Sequence, residues 1–188
     1  MNKVQRIVIY LMLPALASCA TKETFLSNGV VAREIMASVL ASSSKVNYEG
    51  AWKYAGSKQD KGEWVTDYYV PEGEGVETWT RRFTFSNVRR SYSSPASPEA
   101  MMNGLKEFKI KECPKTVWNI IQKGDTDLLY EYHVADCGRH PAQHKIARIL
   151  YAKANIWWIT YTQKGPPMDE QERLRWIETL SEPRIAVE

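Results

Sequence analysis

All three histidines of this 188-residue chain fall between positions 133 and 144, and a cysteine lies among them. Cys137-x-x-His140-x-x-x-His144, with His133 and Asp136 close by, offers thiolate and imidazole at a spacing that suits tetrahedral zinc. A metal-dependent enzyme at Cys137, His140 and His144 is the sharpest chemistry this pattern suggests. A structural reading competes with it. In an oxidising compartment Cys113 and Cys137 form an even pair, and a disulfide between them closes a loop of about 25 residues. Bonding removes the thiolate, leaves His140-Pro141 as an ordinary turn and makes His133 a strand residue. A cysteine–histidine nucleophile fails for the same reason. No Gly-x-Ser-x-Gly elbow occurs, and Gly73-x-Gly75 lacks the rest of a nucleotide fingerprint. Glu72, Glu74 and Glu77 crowd a glycine-rich turn, where carboxylates are solvated rather than poised. The expectation is a non-enzymatic protein with no cofactor and no resident metal.

The redox compartment decides between these readings, and the N-terminus supplies an address. Lys3 and Arg6 precede an apolar run from Ile7 to Ala17, which ends in Leu16-Ala17-Ser18-Cys19. The order of charged, apolar and small residues is that of an export signal. The apolar run, about eleven residues, is too short to cross roughly 30 Å of hydrocarbon. Leu16-Ala17-Ser18-Cys19 resembles the lipobox of bacterial lipoproteins. That resemblance implies a diacylglyceryl group on the Cys19 thiol and cleavage just before it, with Leu16, Ala17 and Ser18 read by the signal peptidase. Each buried methylene contributes about 0.8 kcal/mol, so several acyl chains hold a protein firmly to a membrane. Ala20, rather than Asp, follows Cys19, which favours the outer over the inner membrane, facing the periplasm.

The organisation expected is a leader over 1–18, a lipidated tether with a helix over 19–47, and a globular domain over 48–188. The whole chain carries +3, and Lys3 and Arg6 leave with the leader, so the remainder carries +1. A near-neutral domain lacks the basic stripe that nucleic acid requires. Arg81-Arg82 and Arg89-Arg90 are local pairs. They read as solvated strand-end charges rather than as a phosphate or headgroup site. Seven Trp and ten Tyr are the other conspicuous feature. An aromatic face with Trp79, Trp157, Trp158 and Tyr161 could stack on sugars or on a partner, although adjacent strand residues such as Trp157 and Trp158 point to opposite faces. Core packing under helices is the competing account.

Several elements must position these residues. Val31, Ile35 and Val39 share a helical face in the tether. Trp52–Ala55 reads as a short strand, Gly56–Gly62 as a turn, and Glu63–Val70 and Glu77–Val88 as strands. Ser97-Pro98-Glu99 opens a helix, with a serine cap, proline in the first turn and an acid at the positive dipole end. Met101, Leu105 and Phe108 form its apolar stripe. Thr116–Gln122, Asp127–Ala135, Lys145–Ala152 and Ile156–Thr162 read as four more strands. Asp169 and Glu172 form a capping box for a last helix with Leu174, Ile177 and Leu180 inward. Short connections require antiparallel pairing. The fold class expected is α+β: one antiparallel sheet of six to seven strands with helices packed on it, an α/β sandwich.

Tyr69-Val70-Pro71-Glu72-Gly73-Glu74 with Glu77-Thr78-Trp79-Thr80, Leu129-Tyr130-Glu131-Tyr132 with Asp136-Cys137, and Tyr161-Thr162-Gln163-Lys164 together resemble an uncharacterised group of proteobacterial envelope proteins, mostly small lipoproteins. The resemblance covers about residues 48–182 and brings no catalytic residues with it. The element order is also similar to the sandwich of the extrinsic photosystem II oxygen-evolving proteins, a likeness of fold alone. The function expected is an envelope binding or assembly role with a protein partner, as an accessory of an outer-membrane or secretion complex. A glycan or small-ligand binder and the metal-dependent enzyme are the rivals.

Overall fold

The computed structural model describes residues 52–60, 64–91, 93–138 and 140–181. The leader, Leu16-Ala17-Ser18-Cys19, the tether and its expected helix lie outside the described residues. The described chain forms seven strands and two helices: β1 (Trp52–Asp60), β2 (Trp64–Pro71), β3 (Arg81–Arg89), α1 (Pro98–Glu112), β4 (Val117–Lys123), β5 (Asp127–Val134), β6 (Gln143–Tyr151), β7 (Asn155–Lys164) and α2 (Glu170–Ser181). All seven strands join one antiparallel sheet in the order β1-β2-β3-β7-β6-β5-β4. A three-stranded meander is thus followed by α1, which carries the chain to the far edge. A four-stranded meander then returns until β7 closes against β3.

Two segments differ from expectation for local reasons. The turn expected after Ala55 is instead strand, because the register with β2 jumps between Tyr54 and Gly56. Gly56 adopts φ +140° there, and the bulge absorbs the extra residue so that the polar run beyond it continues as an edge strand. Residues 77–80, expected to be strand, form a turn instead. The Glu74 carboxylate accepts from the Thr80 backbone N–H at 2.7 Å and hydroxyl at 2.5 Å, and the Gly75 N–H donates to Thr78 Oγ1. These local bonds compete with strand pairing, so β3 starts only at Arg81.

Both helices start as their sequences dictate. Ser97 Oγ accepts the Ala100 N–H at 3.1 Å, and Asp169 Oδ1 accepts the Glu172 N–H at 2.8 Å. Their buried stripes differ from those expected. In α1 the buried residues are Pro98, Met101 and Met102, whereas Phe108 is 63% exposed. In α2 the anchor is Trp176, with Leu180 and Thr179, whereas Leu174 is exposed.

The two helices lie on opposite sides of the sheet, as the alternation of strand side chains shows. Met101 and Met102 of α1 join Leu128, Tyr130, Tyr132, Ala147, Ile149 and Ile156 in one core cluster. These are even positions on β5 and β7 and odd ones on β6, which the pairing register puts on one face. On the other face Trp176 of α2 stacks on Tyr161 with ring centroids 3.7 Å apart and lies 5.8 Å from Phe83. Arg148 ties down the C-terminus of α2. Its guanidinium donates to the carbonyls of Leu180 and Ser181, at 2.8 and 3.0 Å, and forks onto Asp127 at 2.6 and 2.9 Å. A cation at that end is also attracted by the negative pole of the helix dipole. Cys113, which caps α1, is disulfide-bonded to Cys137, with Cα atoms 5.7 Å apart.

Candidate functional site

The histidine cluster resolves into separate structural roles. Cys137 is committed to the disulfide. His140 Nε2 lies 3.2 Å from Glu112 at the end of α1. His144 is 5% exposed and has both ring nitrogens engaged: Nδ1 accepts the Met168 backbone N–H at 3.1 Å, and Nε2 lies 3.3 Å from Glu131. The Met168 donor fixes the proton on Nε2, so His144 donates to the carboxylate. Glu131 also receives Asn119 at 2.9 Å and both arms of Arg173 at 2.7 Å. Burial alone raises the Glu131 pKa, but hydrogen bonds from His144, Arg173 and Asn119 overcome it and hold the carboxyl well below the usual range. His133 stands with its ring centroid 6.2 Å from that of His144. Its pKa is lowered by desolvation and by His144. The result is a polar lock joining β4, β5, β6 and α2. Among the described residues no group of three or more His, Cys, Asp or Glu is placed to hold a metal ion; the ligand set His133, His140 and His144 is dispersed by these partners.

The aromatic residues singled out from the sequence do not share a face either. Trp157 and Tyr161 are 3% and 0% exposed, on the side of the sheet that α2 covers. Trp158 is on the opposite side, half-buried, where its Nε1–H donates to Tyr130 Oη at 3.1 Å. Trp79 lies in the turn before β3 and is 8% exposed. Strand alternation separates the first pair from Trp158.

The side chains that do converge are on the α1 side of β3, β7 and β6. The register sets Arg82 beside Thr162, and Thr162 beside Lys145, in one row across three strands. Tyr132 and Trp118 extend that row over β5 and β4. The floor next to it is made of small hydroxyl residues. Thr84 and Thr160 are hydrogen-bonded at 2.5 Å, and Thr66 and Ser86 at 2.9 Å. Larger groups rise around this floor. The Arg82 guanidinium lies 4.2 Å from the Trp79 ring centroid and 5.3 Å from that of Tyr68. Lys164 Nζ is also 4.2 Å from the Trp79 centroid. Lys145 Nζ lies 5.4 Å from Trp158 and 5.5 Å from Tyr132. Such cation–π contacts contribute about 0.5–2 kcal/mol each.

The row stands out because its polar atoms are incompletely satisfied. The buried side-chain nitrogens and oxygens without a hydrogen-bond partner among the described residues are Arg82 Nε, Thr162 Oγ1 and Trp118 Nε1. All three belong to that one row. Neither Arg82 nor Lys145 has a carboxylate within salt-bridge distance among the described residues. Desolvation lowers the Arg82 pKa against weaker opposing effects of Tyr68, Tyr132 and Glu77. Burial, then the Arg82 charge, push Lys145 down to about 8. Beside Arg82 a depression of about 460 Å³ opens toward β1, walled by Tyr68, Val76, Glu77 and Trp79 and floored by Gly56. A Cβ placed on Gly56 meets no atom within 4 Å. Arg82 is therefore not the solvated strand-end charge that its sequence position suggests. The sequence signal that marks it is the pairing of Arg82, Thr84 and Ser86 on one face with Phe83 and Phe85 on the other.

No protein-family model and no curated protein matches this chain. Among solved structures, the lipid transfer and protein localization domain of human StarD13 (DLC2) is similar at 10% identity. The alignment covers 69% of this chain and 82% of that domain, with a TM-score of 0.26, too low to carry an argument about fold or function.

Proposed function

We propose that this chain is an exported envelope lipoprotein, anchored through Cys19, whose folded domain binds a small molecule and does not transform it. The observation that supports binding is the depression of about 460 Å³ walled by Tyr68, Trp79 and Arg82, beside a row in which Arg82 Nε, Thr162 Oγ1 and Trp118 Nε1 are buried without partners among the described residues. Buried polar groups in native proteins are normally paired, and concave sites with a few convergent polar groups on aromatic walls are where small molecules bind. The depression offers the Arg82 guanidinium, the aromatic surfaces of Tyr68 and Trp79, and the Glu77 carboxylate. The histidine–carboxylate pair elsewhere has its hydrogen-bonding capacity spent on holding strands to α2, which supports a non-enzymatic role. The address rests on Leu16-Ala17-Ser18-Cys19 and on the disulfide, which suits an oxidising compartment.

A second reading, the assembly role with an envelope protein partner, is favoured by the other end of the sheet. Edge strand β4 exposes Val117 at 64% and Ile120 at 43%.

Two measurements test the proposal. Intact mass and fractionation of the expressed full chain should show a lipid-modified protein in membranes, whereas Cys19→Ala should yield an unlipidated, soluble one. Membrane association of a wild-type chain without lipid mass would overturn the anchor. Native mass spectrometry of the detergent-extracted protein should show a small non-covalent adduct. A tight partner protein in place of that adduct would favour the assembly role.

A further inference from the structure

We infer that the depression beside β1 binds a dipolar small molecule, one that joins a carboxylate to an ammonium as an α-amino acid does, with the carboxylate on Arg82 and the ammonium toward Glu77. This rests on the small-molecule reading above and names the ligand's chemical class.

Two opposite charges that do not meet carry the assignment. Arg82 of β3 and Glu77 of the turn before it both line the depression. Glu77 acts on the guanidinium electrostatically, yet neither side chain has an ion-pair or hydrogen-bond partner among the described residues. Arg82 Nε is enclosed and takes no part. The two Nη nitrogens are not among the enclosed atoms, and a guanidinium has donors and no acceptor. Trp79 holds this end in place. It is 8% exposed, and both Arg82 and Lys164 lie 4.2 Å from its ring centroid. A guanidinium fixed on an aromatic face with its Nη donors unspent is a ready receptor for a carboxylate. Glu77 is an acceptor only, exposed at the wall of the depression, and suits an ammonium. A head group with both charges answers both side chains and closes a gap that they do not close by themselves. Lys58 of β1 lines the same depression, so the carboxylate end is the stronger handle.

The depression also gives the ligand a body. Its volume, about 460 Å³, lies in the range of small-molecule sites, roughly 300–1,000 Å³. Tyr68 and Val76 are partly buried walls that offer surface to an apolar side chain. Gly56 keeps the floor clear: a Cβ there meets no atom within 4 Å, and its φ of +140° disfavours any side chain. A bare inorganic ion would leave this space unfilled. A singly charged molecule would leave Arg82 or Glu77 unanswered.

The test uses the full lipidated chain in detergent and three probes of matched shape: phenylalanine, phenylpropionate, which keeps only the carboxylate, and phenethylamine, which keeps only the ammonium. Titration calorimetry should show phenylalanine binding roughly tenfold more tightly than phenethylamine, the effect of a charged hydrogen bond. Its advantage over phenylpropionate should be smaller, about threefold, because Glu77 is exposed. Arg82→Gln should remove the first preference and Glu77→Gln the second. A residue that only supports the fold would weaken all three probes alike. Lys123→Gln, on β4 and away from the depression, should leave both preferences in place. If Arg82→Gln misfolds, Glu77→Gln at the exposed wall carries the test. Phenylpropionate binding as tightly as phenylalanine would overturn the dipolar assignment and keep the small-molecule site. No binding of any probe, with a co-purifying adduct of another class, would do the same. No binding and no adduct would bring both readings down.

Discussion

On β3 and β7, Phe83, Phe85, Trp157, Ile159 and Tyr161 fill one face, whereas Arg82, Thr84, Ser86, Thr160 and Thr162 line the other. The backbone, the hydrogen-bonded register and the burial are shared. Every one of these side chains except Arg82 is less than 9% exposed. The first face is closed by Trp176 of α2, with T-shaped contacts of Trp52 to Phe83, Tyr161 and Trp176. The second contains hydroxyl pairs, an orphan hydroxyl and two cations, Arg82 and Lys145, with no carboxylate within salt-bridge distance among the described residues. A core selected only for stability would not keep these, since replacing buried charge with apolar groups is often stabilising. The contrast separates a face that holds the fold from a face whose composition the proposed binding would explain.

Trp176→Ala should break the first face. It removes the stack on Tyr161 and leaves a cavity against Phe83, at a cost of about 4 kcal/mol by denaturant unfolding. Glu131→Ala should follow at about 3 kcal/mol, because Arg173 and the His144 N–H lose their shared acceptor. Both variants should bind phenylalanine normally under conditions where they are folded. Loss of probe affinity in step with Trp176→Ala, while the protein remains folded, would erase the distinction between the faces.

The sequence reveals the first face better than the second. Alternation along Glu77–Val88 already separates Phe83 and Phe85 from Arg82 and Thr84, and capping signals locate both helix starts. The hidden features are long-range. Trp176 escapes notice because its helix also offers Leu174 and Ile177, and only packing against the twisted sheet decides which of them is inward. The row on the second face is hidden for a stronger reason. Arg82, Lys145 and Thr162 are 17 or more positions apart, and each is unremarkable alone. Their row exists only because β7 is inserted between β3 and β6, an order that no local pattern encodes. The histidines mislead in the opposite sense: they are close in sequence, yet alternation and the partners Glu112, Glu131 and Met168 give them unrelated tasks.

Lys145 gives the second face a pH signature. Its folded pKa, about 8, lies below the ordinary 10.5, so the unfolded chain binds the proton more readily. The native state is therefore penalised at neutral pH, and that penalty fades as pH rises from about 8 to 10.5. Arg82 across Thr162 and Tyr132 beside Lys145 face the ammonium, with the Lys109–Glu112 pair of α1 acting near Tyr132. Lys145→Met should accordingly stabilise the ligand-free protein at pH 7, by about 1–2 kcal/mol. That gain should shrink in unfolding measurements at pH 10. A gain independent of pH would mean that Lys145 is well solvated and that the positive row is weaker than proposed.

The smallest effect makes the finest distinction, because it compares two threonines two residues apart on β7. Thr160 and Thr162 are 1% and 0% exposed on the same face. Thr160 Oγ1 is bonded to Thr84, whereas Thr162 Oγ1 has no partner among the described residues. Valine keeps the shape and deletes the hydroxyl. Thr160→Val leaves Thr84 buried and unpaired, so it should destabilise the protein by about 1 kcal/mol. Thr162→Val removes a polar atom that gains nothing in the free protein, so it should be neutral or stabilising by up to about 1 kcal/mol. Equal losses from the two substitutions in denaturant unfolding would make Thr162 an ordinary hydrogen-bonded core residue. The opposite signs expected here follow from one hydroxyl being paired and the other not.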